Sequence, residues 1–254
     1  MRRPQRRMFA AALLLGAPAF PGCTSMPPTA GIIPPIGLIE DEEPVEIPRE
    51  IQAMIAEIDR LQLKGELRMA IDLTDPVQIR HLADEVVRRF SRIDILVTNN
   101  GGPPPGYFQD LDDAAFHTGH ERTLLSAVRL IRSVLPAMRV QGWGRIVNIA
   151  ALSALQPAPQ FGLSVATWAG VIGYAKTLSL EVAADGVTVH TICPGRIDTP
   201  RLGTVFGGGQ PGAIDDAKLA EMARSIPMQR IGSADEIAGL VAFLASPWSA
   251  YMTG

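Results

Sequence analysis

From residue 49 onward, apolar positions recur with two alternating periods. Ile51, Met54, Ile55, Ile58 and Leu61 fall at helical spacing and predict a helix. Leu67 to Ile71 then reads as a short apolar strand, closed by the turn-forming run Asp72-Leu73-Thr74-Asp75-Pro76. Ile79, Leu82, Val86 and Val87 predict a second helix with one shared apolar face. Ile93 to Val97 is apolar on both sides, as a buried parallel strand is. Further on, Leu124 to Met138 predicts a helix, Arg145 to Ala150 a strand, Ala166 to Ala183 a helix and Val187 to Cys193 a strand. Ala234 to Ala245 predicts a last helix, with Ser233 as its cap. Strands alternating with helices predict an α/β fold, a Rossmann-like parallel sheet with helices on both faces.

Upstream, this alternation is absent. Arg2, Arg3, Arg6 and Arg7 precede the apolar run Met8 to Leu15, the pattern of an export signal over residues 1–23. The run is too short to span a bilayer as a helix. Arg6-Arg7-Met8-Phe9 resembles the twin-arginine signal, and Cys23 after Gly22 resembles a bacterial lipoprotein's lipid acceptor, although Phe20 and Pro21 fit that pattern poorly. These features predict export; the alternative is a cytoplasmic protein with a misassigned start. Residues 24–48 read as a linker, because six prolines from Pro27 to Pro48 and the acidic cluster Glu40-Asp41-Glu42-Glu43 oppose regular structure. At most, Ile36 to Ile39 makes a short edge strand. The third region, 49–254, carries the α/β pattern.

Composition narrows the chemistry. With 47% hydrophobic and 19% charged residues, the chain can bury a sizeable core, and a net charge of -3 gives no basic surplus for a nucleic-acid partner. Cys23 and Cys193 are too far apart in sequence to suggest a disulfide framework. Histidine is scarce, at four residues, and the absence of an HExxH, a CxxC or a paired His/carboxylate spacing predicts no metal site.

Several segments resemble the short-chain dehydrogenase/reductase family, in particular its 3-oxoacyl-carrier-protein reductase-like branch. Phe90 to Val97 is similar to the family's fourth strand and its lead-in, and Thr98-Asn99-Asn100-Gly101 stands where the family has Asn-Asn-Ala-Gly. Gly144 to Ile149 resembles the fifth strand, and Cys193-Pro194-Gly195-Arg196-Ile197-Asp198-Thr199 matches the Pro-Gly-x-Ile-x-Thr segment. Arg230-Ile231-Gly232, Phe243 to Ser246 and Tyr251 to Gly254 match the C-terminal region. The motifs stand in the family's order and spacing over roughly residues 50 to 254.

That resemblance implies NAD or NADP as cofactor and a small-molecule carbonyl or alcohol as substrate. It implies that Asp72 and Leu73 face the adenine, that Asn99, Asn100 and Gly101 line the adenosine ribose, and that Pro194, Gly195, Ile197 and Thr199 meet the nicotinamide carboxamide. Two parts of the family's machinery have no match. No Gly-x-x-x-Gly-x-Gly turn, which would cradle a pyrophosphate, stands in the first hundred residues, and Gly207-Gly208-Gly209 reads as a flexible loop segment. The family's catalytic tetrad is Asn, Ser, Tyr and Lys. Aligning Gly170-Val171-Ile172-Gly173 and Lys176-Thr177-Leu178 with the family's helix places Thr123, Ala151, Ser164 and Trp168 at those positions. Divergent branches carry Ser at the Tyr position and Arg at the Lys position; Ser164 fits such a branch, but Trp168 supplies no cation. Ser153 stands in for Ala151 only if the turn shifts by two residues. Tyr174 and Lys176, two apart on a helix, diverge and read as a packing residue and a solvated one. The expected activity is therefore weak or absent; the alternative is a non-catalytic partner subunit of an intact reductase.

The family's sheet order is 3-2-1-4-5-6-7. The chain matches strands 3, 4, 5 and 6, so the expected sheet lacks the first βαβ unit and the last strand. The strand at Ile93 to Val97 then has an open edge: either Ile32 to Ile47 patches it, or a partner covers it, or the isolated chain is poorly stable. The helices at 124–138 and 166–183 are the expected surfaces for a homo- or hetero-oligomer.

Overall fold

The computed structural model describes Ala10 and Ala11, Leu67, and residues 69–207 and 214–254. The helix expected at Ile51 to Leu61, the Pro-rich linker with its Ile36 to Ile39 strand, the Ile32 to Ile47 patch, and the signal-like segment apart from Ala10 and Ala11 lie outside these residues. Four parallel strands form one sheet in chain order: β1 (Ala10–Ala11), β2 (Ile95–Thr98), β3 (Gly144–Ile149) and β4 (Val187–Ile192). Ala10 and Ala11 pair with Ile95 and Leu96 on the edge for which the sequence expected another neighbour. Every strand-to-strand crossover beyond β2 passes through a helix, as parallel pairing requires.

Seven α-helices accompany the sheet among the described residues: α1 (Pro76–Phe90), α2 (Asp113–Gly119), α3 (Ser126–Gln141), α4 (Gly162–Val182), α5 (Pro200–Phe206), α6 (Asp216–Arg224) and α7 (Ala234–Ala245). Local chemistry sets their ends. The Asp75 side chain accepts from the Val77 amide, and Pro76 fills the first helical position, where no amide donor is needed. At α7 the Ser233 side chain accepts from the Glu236 amide while Glu236 reaches back to the Ser233 amide, a complete capping box. Ser233→Ala is expected to lower stability by about 1 kcal/mol; an unchanged urea midpoint would contradict that role for the cap.

Burial follows the strand alternation. Leu96 packs on one face with Ile79, Leu82, Ala83 and Val86 of α1 and Leu130 and Val134 of α3. Val97, Val147 and Ile192 lie on the other face against Val241 and Leu244 of α7. Helices thus cover both faces, which explains why β3 is buried along nearly its whole length.

Two expectations are corrected. Leu67 and Met69 to Ile71 form no strand, because their backbone joins no hydrogen-bonded ladder among the described residues. Val87 does not share the apolar face of α1: it is 40% exposed, and Ala83 takes its place, since 79, 82, 83 and 86 complete the helical stripe. No helix among the described residues is long and apolar enough to cross a membrane.

Candidate functional site

In parallel α/β sheets, ligands gather at the carboxyl ends of the strands. Here those ends are drawn together by backbone hydrogen bonds. Ala150 N donates to Ile192 O at 2.8 Å, and Leu152 N donates to Pro194 O at 2.9 Å, so the turns after β3 and β4 move as one. Below them, Thr98 Oγ1 donates to Asn148 Oδ1 at 2.8 Å, and Asn148 Nδ2 donates to His190 O at 3.2 Å. This buried polar chain links β2, β3 and β4 just beneath the edge. The segment after β4 is anchored in turn, because Gly232 N donates to Arg196 O and Asp198 N donates to Gly232 O. That anchor fixes Pro194, Gly195, Ile197 and Thr199, the last leading into α5.

The Asn-Asn-Gly turn after β2 divides its work. Asn100 is buried, and its Nδ2 donates to the carbonyls of Arg122 and Thr123 at 3.1 and 3.0 Å and contacts Ser126 Oγ. Those carbonyls belong to a π-helical turn, His120–Leu125, between α2 and α3, whose wider ladder frees them to accept. Thr123 sits inside that turn and is fully buried, so it contributes a carbonyl to Asn100. Gly101 has φ +67°, and a Cβ added there would meet nothing within 4 Å. Glycine is therefore required by conformation, and the space above it is open. Asp72 is occupied locally: its Oδ1 accepts from Thr74 N and Thr74 Oγ1, both at 2.8 Å, and Leu73 lies inside this turn.

The aligned tetrad positions converge only in part. Ser164 is 5% exposed on the first turn of α4, and its Oγ lies 3.4 Å from Ser153 Oγ. A 3-10 turn, Leu152–Ala154, is what brings Ser153 to face Ser164. Ala151 instead packs, with Ala150 and Ala154, against the buried cluster of Ala127, Trp168 and Val171. Trp168 stands one helical turn beyond Ser164 and is 3% exposed.

The chain's three tyrosines leave this site without a phenol. Tyr174 is ten residues beyond Ser164, about 15 Å along α4, and burial pushes its hydroxyl pKa up. Tyr107 is exposed and accepts from Gln160 Nε2, and Tyr251 is fully exposed. Lys176 is exposed as expected, yet it is not simply solvated, since its Nζ donates to Gly254 O at 3.0 Å. Lys218 faces Glu221 on α6. Burial raises the Cys193 thiol, which removes it as a ready nucleophile.

A cation does reach the site, from a position the motifs did not mark. Arg201 Nη2 donates to Pro103 O at 3.1 Å. A Cβ added at Gly102 would lie 3.1 Å from both Arg201 Nη2 and Trp168 Nε1. Arg201 is exposed, and its guanidinium stays charged throughout the working pH range. The Gly101-Gly102-Pro103 run is a local sign of a tight, ligand-approachable turn. Nothing near Arg201 in sequence signals its reach across the fold.

The described residues fit an NAD(P)-type dinucleotide along this edge. Gly101 leaves open room, and a Cβ at Gly195 would approach only Leu152 Cδ2, at 3.8 Å, so the backbone is accessible at the ends of both β2 and β4.

Known proteins share this chain's sequence pattern and fold. The family described as Enoyl-(Acyl carrier protein) reductase matches residues 46–254. The 3-oxoacyl-[acyl-carrier-protein] reductase of Escherichia coli (strain K12) is 33% identical over 186 residues, 73% of this chain and 72% of the relative. The D-beta-hydroxybutyrate dehydrogenase of Rhizobium meliloti (strain 1021) is 32% identical over 210 residues, 82% of this chain and 81% of the relative. The crystal structure of levodione reductase superposes with a TM-score of 0.73 at 25% identity, covering 82% of this chain and 81% of that one.

Proposed function

The chain belongs to the short-chain dehydrogenase/reductase family, and from that premise we propose that it binds NAD or NADP beside a small carbonyl or alcohol compound and interconverts the two slowly or not at all. Family members are NAD(P)-linked oxidoreductases, and the bound dinucleotide supplies the hydride. In this reading Asp72, Leu73 and Asn99 to Gly101 hold the adenosine side, and Pro194, Gly195, Ile197 and Thr199 hold the nicotinamide side. Ser164 and Ser153 present their hydroxyls to the substrate oxygen.

One observation carries the proposal: the buried Ser164 hydroxyl has Ser153 Oγ, 3.4 Å away, as its partner, and Trp168 fills the next turn. An alcohol is a far weaker acid than a phenol. An indole N–H donates a hydrogen bond but carries no charge to stabilise a deprotonating neighbour. Positioned acid–base catalysis contributes roughly 10²–10⁴-fold in rate, and this site forgoes most of it. Isothermal titration of the purified chain with NADH and NADPH, followed by ketone turnover, tests both halves. Binding of one dinucleotide, with turnover ~10²–10⁴-fold below a tetrad-bearing relative, is the expected outcome. Absence of heat with either dinucleotide ends the cofactor assignment, and turnover equal to such a relative ends the assignment of weak activity.

A second reading, a non-catalytic subunit that pairs with an intact reductase, draws support from α3 and α4. Val140 is 91% exposed and Leu180 74% exposed on these helices. Co-purification with a full-length reductase would favour it, whereas a monomer that reduces a ketone would exclude it.

A further inference from the structure

We propose that Arg201 and Trp168 together form an oxyanion-binding pair above Gly102, which takes a carboxylate or phosphate oxygen of the bound ligand. The inference rests on the proposed function only in taking this edge of the sheet as the ligand site. Its first support is an inventory of donors and acceptors. A guanidinium carries five N–H donors. Arg201 has one partner among the described residues, the Pro103 carbonyl, and forms no ion pair there. Residues 208–213, which follow α5 closely, include no Asp or Glu.

The second support is independent. Trp168 is 3% exposed, and its indole N–H, which has no acceptor among the described residues, is not one of the enclosed polar atoms: it stays within reach of solvent. An N–H that solvent can reach is free to donate to an acceptor on a ligand. It lies beside the cation, because both nitrogens are 3.1 Å from the position of a Cβ on Gly102. They are therefore no more than about 6 Å apart. An oxyanion accepting from two N–H groups at ~2.9 Å each spans such a gap. Arg201 is not stacked on the indole, since no aromatic ring carries its guanidinium among the described residues. The site offers one positive charge and two donors, which an acceptor bearing negative charge would complement better than water does. Gly102 leaves the approach clear; any side chain there would crowd both donors.

The test is isothermal titration of the full chain with two probes, D-3-hydroxybutyrate for a carboxylate and inorganic pyrophosphate for a phosphate. Wild type is compared with Arg201→Met and Trp168→Phe, and circular dichroism checks that each variant is folded. At least one anion should bind, and Arg201→Met should weaken it by about 10- to 100-fold, as expected for a charged hydrogen bond. Trp168→Phe should weaken the same anion by about 3- to 10-fold. Gly102→Ala, which leaves both donors chemically intact but crowded, should also weaken it. Selective loss of hydroxybutyrate assigns the pair to a substrate carboxylate, and selective loss of pyrophosphate assigns it to the dinucleotide. The proposal is overturned if neither anion binds, if Arg201→Met leaves both affinities unchanged, or if uncharged 4-hydroxy-2-butanone binds as tightly as the acid. A parallel NADPH titration separates the two ideas, because anion binding without NADPH binding leaves the pair standing while the cofactor reading falls.

Discussion

Carbonyl reduction should rise by roughly 10²–10⁴-fold when Ser164→Tyr and Trp168→Lys are introduced together. The two positions are one turn apart on α4, so a phenol and an ammonium placed there emerge on the same side of the helix. Neither change alone should suffice. A lone phenol titrates near 10 and gives up its proton reluctantly, and a lone ammonium has no acid to activate. The second hydroxyl is already in place, since Ser153 faces position 164 from the turn after β3. Trp168 packs against Ala127 and Val171, so removing the indole should cost about 3–5 kcal/mol. Rate must therefore be read under conditions where each variant is shown to be folded. The decisive measurement is NAD(P)H oxidation with a 3-oxoacyl ester in the two single variants and the double. Additive, near-zero gains in a folded double variant that binds dinucleotide would show that positions 164 and 168 do not face the substrate oxygen.

Much of the scaffold was legible from the chain because its signals are local. The strand expected at Arg145 to Ala150 is Gly144–Ile149, the one at Val187 to Cys193 is Val187–Ile192, and the helix begun by Ser233 starts where its capping box requires. An apolar run, a cap and a turn residue all act within a few positions of themselves. The strand read at Leu67 to Ile71 failed for the opposite reason: a strand exists only with a partner, and pairing is decided far away in sequence. The edge of β2 is likewise met from far away in sequence, by Ala10 and Ala11.

The site was legible in its parts and not in its assembly. The alignment placed Ser164 and Trp168, and Asn99 to Thr199 fell along one edge of the sheet. Whether Ala151 or Ser153 faces Ser164 depends on a single 3-10 turn, which the sequence Ala-Leu-Ser-Ala does not declare. The convergence of Gly102, Trp168 and Arg201 joins the turn after β2 with α4 and α5. No spacing rule within one element could have revealed it.

Gly186→Ala should be the most damaging single-atom addition to the scaffold, lowering stability by about 2–5 kcal/mol. Gly186 closes the short turn between α4 and β4 with φ +74°, a conformation that already disfavours a Cβ. A Cβ there would lie 2.3 Å from Gly142 O, a backbone atom that cannot swing aside. Relief requires the turn to retreat, and Gly186 O also accepts from Gly144 N at 3.3 Å, at the start of β3. The strain is thus passed to the β3–β4 pairing that supports the candidate site. Gly142→Ala is the matched control: its φ is +63°, but an added Cβ meets nothing within 4 Å. It should cost only the conformational penalty, about 1–2 kcal/mol. At ~2–4 °C per kcal/mol for a chain of this size, the Gly186 variant should melt roughly 4–20 °C below wild type. Equal melting temperatures for the two variants would mean that β4 does not enter the sheet through this close approach. The register that sets the turns after β3 and β4 side by side would then lose its support.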